Sequence, residues 1–254
     1  MQAKMQAETT VAAASVAATD NAPTTTVADR LAQVRARMAA AAIRAGRSPE
    51  EVTLIGVSKT VGRPEIDAAW DAGLIDFGEN RIQHAMERFT EPLPVNLRLH
   101  LIGSLQTNKA RMVPGRFVMV HSLDRVALAD ELSRRSVAAG MVLPVLIQVN
   151  IAREEQKHGC FAEDAAALIE HVQGCPGLDL QGLMTMAPLV ANNEEARPVF
   201  VGLRELREEL VQRYPNVSLR HLSMGMTNDF EAAIEEGATL VRVGRAIFAE
   251  RPPA

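Results

Sequence analysis

From about residue 27 onward the chain alternates strand and helix with almost no interruption, and few folds accept that rhythm. Apolar runs at 53–58, 74–77, 97–102, 117–121, 143–149, 178–184, 217–221 and 239–243 read as eight strands. Helical patterns at 28–45, 64–73, 81–89, 105–112, 124–138, 162–172, 196–213 and 228–237 separate them. Eight such units in about 230 residues predict a (β/α)8 TIM barrel, an α/β fold in a single domain. A doubly wound open sheet would normally carry G-x-G-x-x-G after its first strand. Here that turn reads Ser58-Lys-Thr-Val-Gly-Arg-Pro, which is no dinucleotide fingerprint.

Local signals support several boundaries. Leu31, Val34, Met38 and Ala42 form one apolar stripe on the first helix, which stops near Gly46. Pro64 opens the second helix and Gly73 closes it, the positions each residue favours. Leu-Pro-Val-Leu-Ile-Gln-Val at 143–149 is apolar enough to be buried on both faces, as a parallel strand requires. Asn228, with Glu231 three residues on, reads as a capping box for the last long helix, ended by Gly237. Residues 1–25 differ in kind: rich in Ala, Thr and Val, without an aromatic, they read as a disordered tail ahead of a barrel at 26–254.

The bulk properties narrow the function. A formal charge of −4 leaves no basic footprint for nucleic acid or anionic lipid. No apolar stretch approaches the roughly 20 residues that span a bilayer. The two cysteines, Cys160 and Cys175, form neither C-x-x-C nor a disulfide framework, which suits a reducing cytoplasm. The six histidines show no metal-ligand spacing.

In such a barrel the active site lies at the C-terminal ends of the strands. Lys59 closes the first strand there, where it is either a solvated strand-end lysine or an amine aimed at a carbonyl compound. The loops after strands seven and eight are the usual phosphate position. Ser223 brings a hydroxyl to them, and Gly225 and Gly244 allow close backbone approach to an anion. Gly244 and Arg245 open a last short helix whose N-terminus favours negative charge. Arg242 sits in the apolar run Leu-Val-Arg-Val-Gly and needs solvent, a carboxylate such as Glu79, or a ligand. A Schiff-base lysine with a phosphate cradle suggests pyridoxal 5′-phosphate, and Arg242 could then donate to the pyridine nitrogen. His100 and His121 read as core histidines held by backbone hydrogen bonds, and Met224 and Met226 as packing under their loop. Lys157, after strand five, reads as solvated or as a second amine near the mouth.

Ser58-Lys59-Thr60, Asp76-Phe-Gly-Glu-Asn80, His100-Leu-Ile-Gly-Ser-Leu-Gln-Thr-Asn-Lys109, Gly182-Leu-Met184, Ser223-Met-Gly-Met226 and Val241-Arg-Val-Gly244 follow in the order and spacing of a known family. Together they resemble the pyridoxal phosphate homeostasis proteins, single-domain relatives of the alanine racemase N-terminal barrel, over residues 27 to 250. The resemblance implies that Lys59 carries the cofactor as a Schiff base and that Arg242 faces the ring nitrogen. It implies that Ser223 and Gly244, with the backbone around Gly225 and Arg245, hold the phosphate, and that Asn80 and Met184 line the ring pocket. Ser104, Thr227 and Arg245 depart from residues common among relatives. Arg245 stands where a small side chain is usual, so backbone N–H groups or the arginine's charge would serve the phosphate there.

Racemisation needs a base on each face of the cofactor–substrate adduct. In racemases the second base is a tyrosine from a C-terminal β domain. This chain ends about ten residues after strand eight, and its one tyrosine, Tyr214, precedes strand seven, at the far end of a barrel. The expectation is therefore a pyridoxal phosphate carrier that buffers the cofactor or delivers it to client enzymes, without strong turnover. A weak pyridoxal phosphate enzyme and a cofactor-free Schiff-base aldolase or phosphosugar barrel are the rival readings.

Overall fold

The computed structural model describes residues 25–59, 61–90, 93–154, 156, 158–188 and 193–249. Nearly all of the N-terminal tail, and Lys157, lie outside them. Eight parallel strands, β1 (Thr53–Val57), β2 (Asp76–Glu79), β3 (Arg98–Leu101), β4 (Met119–Leu123), β5 (Leu143–Gln148), β6 (Leu178–Met184), β7 (His221–Ser223) and β8 (Leu240–Val243), close into a barrel in sequence order. Closure is made by β1 against β8, with Ile55 opposite Arg242 and Gly56 opposite Val243.

Around the barrel lie α1 (Val27–Arg44), α2 (Arg63–Asp71), α3 (Ile82–Arg88), α4 (Val126–Ala138), α5 (Ala162–Gln173), α6 (Asn193–Arg213), α7 (Phe230–Glu235) and α8 (Arg245–Phe248). A 3-10 helix at Thr107–Met112 replaces the α-helix expected after β3. The last helix, α8, is a single turn and cannot cover the β8–β1 seam. That place in the outer shell is filled by α1, which packs against α7, α8 and α2. Its stripe of Leu31, Val34, Met38 and Ala42 is buried as expected, and Thr26 caps it through a reciprocal bond pair with Asp29. Arg37–Glu231 and Arg44–Glu235 tie α1 to α7, and the Arg47 guanidinium donates to the Ile234 and Ala238 carbonyls. Exposed pairs of this kind contribute about 0.5 kcal/mol each, so buried apolar area holds the shell on.

Strand alternation divides the core in two. One set of side chains packs outward against the helices. The other fills the barrel, where Ile55, Met119, Leu146, Met184 and Leu240 form a compact cluster. Three strands and one cap lie away from their expected places; the fourth strand occupies 119–123 rather than 117–121. The second strand occupies 76–79 rather than 74–77, and the seventh occupies 221–223 rather than 217–221. The cap of α7 is Asp229, not Asn228, with no side-chain capping bond of its own; Glu231 turns to Arg37 instead.

Candidate functional site

Lys59 follows β1 by two residues and is exposed. Three groups hold the chain beneath it. Ser58 Oγ donates to Glu79 Oε1 at 2.7 Å, and the Arg88 guanidinium donates to both Glu79 oxygens at 3.1 and 3.2 Å. Arg88 Nη2 then donates to the Lys59 carbonyl at 2.8 Å. Glu79 is fully buried, so the ion pair both offsets its desolvation and anchors the lysine's backbone. The alternative of Glu79 as partner to Arg242 is thereby removed.

Arg242 lies on the inward face of β8, only 4% exposed. Its Nη1 donates to Ser223 Oγ at 2.6 Å and its Nη2 to the Thr185 carbonyl at 2.9 Å. No carboxylate pairs with it among the described residues. Burial pulls its pKa down to about 10, opposed by the field of Asp229, so it remains a cation at neutral pH. A guanidinium offers five N–H donors, and these two bonds leave donors for a ligand.

The histidines of β3 and β4 are buried as expected, but side chains rather than backbone hold them. His121 Nδ1 lies 2.8 Å from Ser223 Oγ, its Nε2 3.0 Å from His100 Nδ1, and His100 Nε2 2.8 Å from Asp76 Oδ1. Arg98 completes the row at Asp76 Oδ2, 2.5 Å away. The Ser223 hydroxyl is thus fully buried inside the barrel, engaged by Arg242 and His121.

Two glycines shape the loops beside it. Gly225 has φ +90, and a Cβ there would stand 2.6 Å from Ala233 Cβ and 2.9 Å from Phe230 Cα. Its carbonyl accepts from Arg242 N at 3.0 Å, locking the loop after β7 to β8. Gly244 lies against Val57, where a Cβ would approach the Val57 carbonyl to 3.1 Å, so the loop after β8 adjoins the strand that carries Lys59. The helical bonds of α8 begin with Ile247 and Phe248 donating to Gly244 O, leaving the Ala246 N–H outside the ladder. Arg245 is exposed and reaches Asn228 Oδ1 at 3.4 Å.

Asn80 lines a cavity of about 700 Å3 in the mouth with Gln83, Ser104, Lys109, Gln148 and Met186. This cavity occupies the β2, β3 and β5 side; Lys59, Ser223, Gly225 and Gly244 stand outside it. Met184 is fully buried in the barrel interior and forms floor rather than wall. Far from the mouth, Asp130, His171 and Cys175 bring possible ligand atoms within 4.8 Å of one another, which sequence spacing could not show. There His171 Nε2 lies 2.6 Å from Asp130 Oδ1. Among the described residues no helix is long and apolar enough to cross a membrane.

A closed eight-stranded parallel barrel with a lysine at the end of β1 and a buried arginine on β8 defines a barrel of the alanine racemase N-terminal class. The profile of the alanine racemase N-terminal domain matches residues 30–252. The alanine racemase of Clostridium difficile shares the fold alone, with a TM-score of 0.69 at 12% identity over 89% of this chain and 58% of its own. The pyridoxal phosphate homeostasis protein of Aquifex aeolicus is 45% identical over 223 residues, covering 88% of this chain and 97% of its own. PipY of Synechococcus elongatus, solved with pyridoxal phosphate bound, superposes with a TM-score of 0.77 at 35% identity, covering 87% of this chain and 99% of its own. The chain belongs to the pyridoxal phosphate homeostasis protein family.

Proposed function

We propose that this protein binds pyridoxal 5′-phosphate and acts in its homeostasis, buffering the cofactor or delivering it to client enzymes in the cytoplasm. The observation that carries the reading is Arg242. It is a buried guanidinium with donors to spare and, among the described residues, no carboxylate partner, set between the strand bearing Lys59 and the glycine loops after β7 and β8. A pyridine nitrogen accepts one hydrogen bond and would satisfy it. The bound group supplies a reactive aldehyde and an electron-accepting ring. Lys59 would hold that aldehyde carbon as a Schiff base, with loss of one water. The backbone at Gly225 and Gly244, with Arg245, would receive the phosphate, and Asn80 would border the ring over the Met184 floor. Both cysteines are free thiols, as a reducing compartment expects.

Carriage rather than turnover follows from what flanks the site. The one tyrosine of the chain, Tyr214, follows α6 at the opposite end of the barrel and donates to Glu170 Oε1 at 2.5 Å, so it cannot serve as a base at the mouth. Facing the ring nitrogen, the Arg242 cation would keep that nitrogen unprotonated, which would make the ring a weak electron sink. Containment has a chemical purpose, because the free aldehyde reacts with cellular amines. The test is absorbance of the purified protein from about 300 to 500 nm with added cofactor, then borohydride reduction and peptide mapping. A reducible band with the pyridoxyl group on Lys59 is expected. A protein that takes up no cofactor overturns the reading, and sustained amino-acid racemase turnover overturns the carrier assignment.

A further inference from the structure

Arg98, Asp76, His100, His121, Ser223 and Arg242 form one unbroken hydrogen-bonded row through the barrel interior. It runs from the N-terminal end of β3 to the inward face of β8. Every link between neighbours is 3.0 Å or shorter. The six come from five strands, and five of them (Asp76, His100, His121, Ser223 and Arg242) are buried. A polar row of this kind inside an otherwise apolar cluster costs stability unless each member is satisfied. Its donors and acceptors are therefore informative.

The two ends fix the direction. A guanidinium only donates, and an ionised carboxylate only accepts. With both imidazoles neutral, a single proton arrangement meets every contact. His100 Nε2–H donates to Asp76, so His100 Nδ1 must accept from His121 Nε2–H. His121 Nδ1 must then accept the Ser223 hydroxyl proton, and Ser223 Oγ accepts from Arg242. Burial first, then the neighbouring Arg242 cation, hold the His121 pKa well below its ordinary value, in keeping with a neutral ring there.

We infer that His121, oriented by His100 and Asp76, is a positioning residue for the contact between Arg242 and the cofactor's ring nitrogen. By taking the Ser223 proton it turns the Ser223 oxygen toward Arg242 as an acceptor, and that bond, with the Thr185 carbonyl, fixes the plane of the guanidinium. Ser223 thus acts on the ring through Arg242, and the phosphate is left to backbone N–H groups and Arg245. This inference rests on the pyridoxal phosphate reading of the same site.

The experiment compares affinities for pyridoxal 5′-phosphate and its 1-deaza analogue, in which a ring CH replaces the nitrogen. Both carry the aldehyde for Lys59 and the same phosphate, so their difference isolates the Arg242 contact. The wild-type protein should prefer the natural cofactor by about tenfold or more, the worth of a hydrogen bond to a charged group. His121→Asn places a side-chain oxygen near the lost Nδ1 and should keep that preference. His121→Leu, similar in bulk but unable to accept, should reduce it to about threefold or less. A packing role would give the reverse order, with Leu retained and Asn impaired, and would overturn the inference. Should the Leu protein not fold, His121→Gln replaces it, since it reaches the His100 side but not Ser223 and should also lose the preference. Wild-type protein that binds neither compound fails the functional reading itself. Full wild-type preference that His121→Leu or His121→Gln leaves intact fails only the positioning role.

Discussion

Arg88 reaches back from α3 to the carbonyl of Lys59, 2.8 Å away, while the same guanidinium pairs with buried Glu79. One side chain thus neutralises a carboxylate and pins the backbone that presents the amine. Arg88→Ala would leave Glu79 buried with only the Ser58 hydroxyl for company. The expected loss is about 3 kcal/mol in urea unfolding, the range for removing one partner of a buried pair. Cofactor uptake should slow as well, because the lysine's backbone loses its tether. Arg88→Lys keeps the charge but not the planar fork, so it should recover stability better than uptake. An Ala protein as stable as wild type would show that the pair contributes nothing.

Gly225 has a separate, steric liability. Its φ of +90 and the 2.6 Å approach to Ala233 leave no room for a Cβ. Gly225→Ala should cost about 2 kcal/mol or more from backbone strain and crowding. Because the Gly225 carbonyl holds Arg242 N, the cofactor's Kd should rise by at least about tenfold, corresponding to one charge-assisted bond. Equilibrium binding by absorbance checks this, and unchanged affinity would dissociate the loop from the site.

The barrel and its mouth were legible because they rest on local rules. Period, glycine and proline punctuation placed β6 at 178–184 and ended α7 at Gly237, and the alternation put Lys59, Arg242 and Gly244 on neighbouring strands. What the chain concealed depends on partners far apart in sequence. Glu79 looks like a residue that follows a strand, yet it lies inside β2, and Asp76 is buried at that strand's start, since Arg88, His100 and Arg98 satisfy them. His221 and Ser223 likewise belong to β7 although the apolar run begins at Val217, where the backbone is still turning back to Tyr214 O. The α7 cap was misplaced for the same reason, because Glu231 finds Arg37 on α1 across the shell. Hydrophobic pattern reports burial of apolar residues; it is blind to polar residues buried in pairs.

Thiol chemistry gives an independent check on packing. Burial, then the neighbouring Asp164 and Asp124 charges, push the Cys160 pKa up to about 12. At pH 8 only about one thiol in ten thousand would then be thiolate, the reactive form. Burial and Asp130 raise Cys175 as well. Native protein should therefore react slowly with a disulfide reagent, and denaturant should release two fast thiols, the full complement of the chain. Rapid native labelling of Cys160 would mean that the segment after β5 opens readily.

Acid should weaken the fold in two stages. Burial, with the nearby Arg242 cation, holds His121 well below its ordinary value; burial and Arg220 do the same, less strongly, for His221. In the unfolded chain both titrate near about 6.5. Below that pH the unfolded state binds more protons than the fold, so stability is complete above about 6.5 and falls with falling pH. The slope approaches about 1.4 kcal/mol per pH unit for each histidine. Asp76 sets the second stage. Burial raises its pKa, but the His100 and Arg98 bonds outweigh this and leave it lowered, so its contribution is present above about 3.9 and lost as pH drops toward its folded value. Urea midpoints at pH 7.5, 6 and 5 measure the first stage. His121→Asn, which cannot titrate, should remove one proton's share of that slope. Midpoints that stay constant down to pH 5 in the wild type would mean that His121 accepts a proton within the fold, and the neutral row through the barrel would be wrong.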